Sequence, residues 1–158
     1  ILAGLSIPSE RDDDFSPEDS HVIPALIRKI PEAKTRAAAF VEIWGTGAPR
    51  REFIFADDLA DACIFVMREY NEPEPINLGG GSDLSIGELA ASIKEVVGYR
   101  GELRFDASKP DGMPLKTLDS GPLGEMGWRP RTSFRTALSV TYDWFLQTEQ
   151  ERKAIHVR

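Results

Sequence analysis

Short strand-like runs alternate with segments of helical period along this chain, which confines it to an α/β or α+β architecture. The clearest segment is Ser85-Ile86-Gly87-Glu88, which has the form of a capping box. The Ser85 hydroxyl can accept from the Glu88 N–H while the Glu88 carboxylate reaches back to the Ser85 N–H. Leu84 and Leu89 stand where a hydrophobic staple closes; Leu89, Ile93, Val96 and Val97 form an apolar stripe, and Gly98 stands where a helix ends. Elsewhere, Pro24 opens a helix expected to run to about Lys29, with Pro31 disturbing the next turn. Val41–Trp44 and Glu52–Phe55 are predicted strands around a Gly45–Pro49 turn. Asp57 or Asp58 is expected to cap a helix ending near Tyr70, with Leu59, Cys63, Met67 and Tyr70 on its buried stripe. Ile76–Leu78 is a predicted strand running into Gly79-Gly80-Gly81, and Glu102–Phe105 is another. A loop from Asp106 to Pro114 centres on Lys-Pro-Asp-Gly, and a short helical segment ends near Gly127. Ser133 caps a last helix that buries Phe134, Ala137, Leu138, Thr141 and Phe145. Residues 1–20 read as irregular, and the charged tail over 150–158 is expected to fray.

Composition narrows the function classes. The 158 residues carry a formal net charge of −7, which argues against a non-specific nucleic-acid binder. No apolar run approaches the roughly 20 residues needed to span a bilayer, and Ile1–Ile7 lacks the basic flank of a signal peptide. The single cysteine, Cys63, excludes an intrachain disulfide and is read as a buried thiol, compatible with a reducing cytoplasm.

Gly79-Gly80-Gly81 lies between a strand and a helix but lacks the later glycine of a dinucleotide fingerprint, that position being Leu84, so a plain turn is the preferred reading. His21 falls at or just before a helix start, where a histidine is commonly a surface or capping residue. Its company is cationic: Arg28 and Lys29 further along the helix, Arg50 and Arg51 with Trp44 around a glycine turn, Lys109 and Lys116 around Asp111. Cations spaced around turns beside a tryptophan can build an anion pocket; scattered cations can equally be solvated.

Several segments then occur in a familiar order: SHVIPALIRK over 20–29, WGTG over 44–47, REF over 51–53, Asp57-Asp58, and DASKPDGMP over 106–114. From about Ser20 to Glu149 the chain resembles the C-terminal half of the GDP-L-fucose synthase family. Those enzymes are GDP-4-keto-6-deoxy-D-mannose 3,5-epimerase/4-reductases of the extended short-chain dehydrogenase/reductase superfamily. The resemblance implies an α/β fold: the end of a Rossmann-type lobe, contributed by 51–81, plus a small substrate-binding lobe from 21–50 and 82–149. It implies epimerisation at C3 and C5 followed by hydride delivery to C4 from NADPH. His21 matches the family's general acid, a role suited to an imidazole that titrates near neutrality. Lys29, Trp44, Arg51, Asp111 and Lys116 match positions that hold the GDP-sugar. The cations would face the diphosphate, Trp44 would pack on the nucleotide or sugar, and Asp111 would bond a hydroxyl or base edge.

The family's N-terminal half, with its glycine-rich NADP loop and its Ser, Tyr and Lys, has no counterpart in these residues. Ile1–Pro8 departs from the family pattern, and Phe55-Ala56 replaces a usual His-Val. The expectation is therefore a cytoplasmic GDP-sugar-binding portion with no cofactor or metal site of its own, inactive alone. Its expected partners are the missing half and, in the complete enzyme, a second copy as a homodimer; neither nucleic acid nor membrane is expected. A fragment cut this way leaves apolar surface uncovered and is expected to be marginally stable or aggregation-prone without those partners. Two alternatives remain open: another nucleotide-sugar epimerase or dehydratase of the superfamily, or a non-catalytic remnant or interaction module.

Overall fold

The computed structural model describes residues 22–156, with side chains through Glu151. Residues 1–20, expected to be irregular, and His21 lie outside the described residues. The chain is α/β, and two of the three strand pairings among the described residues are parallel. The elements, in order, are α1 (Val22–Thr35), β1 (Phe40–Trp44), β2 (Arg50–Glu52), α2 (Ala56–Glu69), β3 (Asp83–Ser85), α3 (Ile86–Val97), β4 (Glu102–Asp106), β5 (Leu115–Lys116), α4 (Gly121–Glu125) and α5 (Phe134–His156). β1 pairs in parallel with β4, from Phe40 opposite Glu102 to Trp44 opposite Asp106. β2 pairs antiparallel with β3 and parallel with β5, placing Arg51 opposite both Leu84 and Lys116.

A main core gathers the inward faces of α1, α3 and α5 around Val41 and Ile43 of β1. Ile30, Leu89, Ile93 and Leu138 are almost completely buried there. A second cluster joins Ile54, Ala62, Leu123 and Trp128. Between the cores runs Phe53-Ile54-Phe55, whose outer members enter the first and whose middle member enters the second. That alternation explains why these residues look like a strand. The paired strand β2 in fact ends at Glu52.

Local signals fare well. The Ser85–Glu88 capping box is present with both bonds, Gly98 ends α3 in the left-handed region at φ 68°, and the Ser133 hydroxyl accepts from the Thr136 N–H at 3.1 Å. Other expectations are corrected. α1 continues through Pro31 to Thr35, because Ile23, Leu26, Ile27 and Ile30 hold its face on the core up to the proline and Ala33 packs against the same core beyond it. It then turns through Ala37, a non-glycine residue at φ 50°. Neither Asp57 nor Asp58 caps α2; the N-cap is Phe55, without a side-chain bond, and both aspartates lie in the first turn. Asp58 is instead buried, accepting from the Arg131 N–H at 3.3 Å and the Thr132 N–H at 3.0 Å ahead of α5.

The buried face of α2 runs through Asp58 and Ala62, with Leu59 and Val66 partly covered, while Cys63 and Met67 are exposed. The helix is apolar on two faces, so periodicity alone could not choose between them. Ile76–Leu78 forms no ladder; the third strand is Asp83–Ser85 instead. α5 stays helical to His156, past the expected fraying point, since the tail is rich in Glu, Gln, Lys and Arg and free of Gly and Pro up to there. No helix among the described residues is long and apolar enough to cross a membrane.

Candidate functional site

Parallel pairing sends β1 and β4 out at the same edge, so the turns that follow them meet. Gly45 and Gly47 adopt φ 83° and 78°, and the Gly45 N–H donates to the Asp106 carbonyl at 3.0 Å. The space beside Gly45 is filled by the Asp111 carboxylate, so a side chain there would displace it. Asp111 accepts from the Thr46 N–H at 2.6 Å and from the Thr46 hydroxyl at 2.7 Å, locking the loop over 106–114 to the glycine turn. The loop opens on an Asx turn in which Asp106 accepts from the Ser108 hydroxyl and N–H; those bonds, the hydroxyl's first, hold its carboxyl below the ordinary range.

Trp44, at the end of β1, is 62 % exposed, and the Lys109 ammonium sits 5.6 Å from the centre of its ring. The Arg51 guanidinium donates to the Met113 carbonyl at 2.7 Å and to the Arg50 carbonyl at 2.8 Å. Its strand neighbour is Lys116. Neither Arg51 nor Lys116 forms an ion pair among the described residues, whereas Arg50 is consumed by Asp83 and Glu88. Trp44 on β1, Arg51 on β2 and Lys116 on β5 are thus connected through the loop over 106–114, which bonds Thr46 after β1 through Asp111 and Arg51 through the Met113 carbonyl. Two positive charges remain available there to an anion, beside an exposed aromatic face. Lys29 lies apart from that cluster in its bonding: its ammonium donates to the Glu42 carbonyl on β1. His21 lies outside the described residues.

A separate cleft of about 690 Å³ opens beside Gly79–Ser82, the segment after β5, and Trp128. It contains none of the residues expected to bind substrate, and its wall carries Glu52, Asp83 and Asp119 against Arg129. The glycine triplet does not form a dinucleotide cradle. The Gly81 N–H, which a phosphate would require, donates to Glu52 at 2.8 Å, and the N-terminus of α3 is closed by its own capping box. No metal-binding cluster of His, Cys, Asp or Glu occurs among the described residues.

The sequence singled out neither Thr46 nor Glu52, and offered Lys109 only as one of the cations spaced around turns. Glu52 carried a usable signal: an acid directly before the apolar run Phe53-Ile54-Phe55 is placed for burial and must find donors.

This α/β arrangement, with glycine-shaped turns gathered at parallel strand ends, is similar to that of solved GDP-L-fucose synthetase structures. The pattern of the NAD dependent epimerase/dehydratase family matches residues 6–79. The chain is 52 % identical over 135 residues to GDP-L-fucose synthase 1 of Arabidopsis thaliana, covering 85 % of this chain and 42 % of that protein. It is 47 % identical over 146 residues to GDP-L-fucose synthase of Escherichia coli K12, covering 87 % and 46 %. A crystal structure of a GDP-L-fucose synthetase from Naegleria fowleri bound to NADP superimposes with a TM-score of 0.78 at 31 % identity, over 87 % of this chain and 44 % of that one. Residues 6–79 thus carry the NAD dependent epimerase/dehydratase pattern, and the relatives to which the chain is similar along most of its own length are GDP-L-fucose synthases. The chain spans less than half the length of the curated relatives it matches.

Proposed function

We propose that this chain is the GDP-sugar-binding portion of an NADP-dependent GDP-L-fucose synthase. The complete enzyme would epimerise GDP-4-keto-6-deoxy-mannose at C3 and C5 and then reduce the 4-keto group. The observation that carries the proposal is the pairing of Arg51 with Lys116 across β2 and β5, both without an acidic partner among the described residues. Two fixed cations on adjacent strands suit a diphosphate: the guanidinium offers directed N–H donors and the ammonium a point charge. Trp44 supplies a stacking face for the nucleotide or sugar. Asp111 sets the loop against Thr46 and keeps free lone pairs for a ligand hydroxyl. Lys29 adds positive charge from α1, and His21 is the proton donor of the epimerisation. Residues 51–81 belong to the nucleotide-binding lobe in this reading, and the NADP that supplies hydride is held by residues other than those described. The chain alone is therefore inactive in reduction.

Titration calorimetry with GDP and GDP-mannose tests the proposal. Binding is expected, and Arg51→Ala should weaken it by about tenfold or more through loss of a charge-assisted contact. No heat at millimolar GDP from a folded sample refutes it. Preference for UDP or dTDP transfers the reading to another nucleotide-sugar enzyme of the family.

A further inference from the structure

We propose that Glu52 is a positioning residue that holds Lys116 beside Arg51 from the opposite side of β2. Resting on the GDP-binding reading above, the inference assigns a cause to the geometry of its cation pair. Glu52 follows Arg51 directly and is one of two buried carboxylates among the described residues. Its Oε1 accepts from the Gly81 N–H and its Oε2 from the Leu118 N–H, each at 2.8 Å, with the Ser120 hydroxyl at 3.5 Å. Strand alternation sends its side chain to the face opposite that of Arg51.

β5 has only two residues, Leu115 and Lys116, so its ladder with β2 is too short to hold register firmly. Arg51 and Lys116 also repel each other when no anion lies between them. The Leu118 bond falls two residues beyond Lys116 and pins the strand's exit to the residue next to Arg51. The other carboxylate oxygen ties the same point to the glycine triplet. A side chain on Gly79 would collide with Glu52 and Ser120, so this approach requires glycine. One carboxylate thereby joins β2, the segment after β5, and the turn before β3. An ionised carboxylate can accept from both amides, whereas the isosteric amide has one acceptor oxygen and must set its NH2 against the other N–H.

The test is a double-mutant cycle read by GDP calorimetry on the full chain, with each variant's fold checked by circular dichroism. Glu52→Gln should weaken GDP binding about tenfold in the wild-type background and no more than about twofold when Lys116→Ala is already present, because coupled positions are non-additive. The Leu118 amide should also exchange faster in Glu52→Gln. If the Gln variant does not fold, Glu52→Asp, which keeps both acceptors on a shorter arm, enters the same cycle with the same pattern expected. Wild-type binding with unchanged affinity in the Glu52 variant, or an equal loss in both backgrounds, overturns the inference alone. Absence of GDP binding in the wild-type chain overturns the functional reading and the inference with it.

Discussion

Asp58 offers the most direct measure of how the two cores are held together. It sits in the first turn of α2, beside the cluster around Ala62, yet its carboxylate receives the Arg131 and Thr132 N–H groups that lead into α5 and the main core. Replacing it with alanine leaves two backbone donors without their acceptor. Hydrogen bonds to a buried charge contribute about 1.5–3 kcal/mol each, and the 3.3 Å bond falls at the weak end, so Asp58→Ala should cost about 3 kcal/mol. For a chain of this size that is a fall in Tm of about 6–12 °C. Asp58→Asn keeps one acceptor and should cost about half as much. Asp57→Ala is the control: it removes a neighbouring first-turn charge and should cost no more than about 1 kcal/mol. Urea denaturation followed by tryptophan fluorescence measures all three. Equal losses for Asp57→Ala and Asp58→Ala, or a loss below about 0.5 kcal/mol for Asp58→Ala, would refute the account of Asp58 as the tie between cores.

Three further outcomes follow from local geometry. Ser85→Ala breaks the capping box and should destabilise the chain by about 1 kcal/mol in the same denaturation assay. Glu88's carboxyl lies below its ordinary value, chiefly through the Ser85 N–H, then the Ser85 hydroxyl, with a further contribution from Arg50. A group depressed in the folded state contributes in full above its unfolded value and loses that contribution as pH falls through the folded one. The Tm advantage of wild type over Glu88→Gln should therefore shrink between neutral and acid pH, and a constant gap would count against it. Ala37→Gly relieves a left-handed alanine and should stabilise by about 0.5–1 kcal/mol; a loss in chemical denaturation would show that the turn draws on the methyl group.

What the sequence made visible was what a few consecutive residues decide. The capping box, Gly98 and Ser133 are complete within a helical turn, so their chemistry is readable without neighbours. Where a choice depended on a distant partner, local pattern was insufficient. Pro31 is tolerated because α1 is held by packing on both sides of it, and Asp58 serves the approach to α5 rather than its own helix. Cys63 is exposed because α2 lays its Ala62 face on Leu123 and Trp128. The site divides the same way. Trp44, Arg51, Asp111 and Lys116 were nameable as residue types around turns, but their adjacency arises from strand pairings between remote segments. The bonds that Asp111 and Lys29 make were invisible because their partners are the amide and hydroxyl of Thr46 and the carbonyl of Glu42.

Those pairings set the order in which the molecule can assemble. Phe40 meets Glu102 and Arg51 meets Lys116 across about sixty intervening residues, so each ladder closes only after a long stretch of polypeptide has been restrained. α3 can nucleate early from its own ends, whereas the cation pair comes into existence only when the long-range β2–β5 ladder closes. Refolding should thus recover helical ellipticity before the long-range ladders close, and a chain stalled on the way would look largely native by far-ultraviolet spectroscopy while lacking the Arg51–Lys116 pairing.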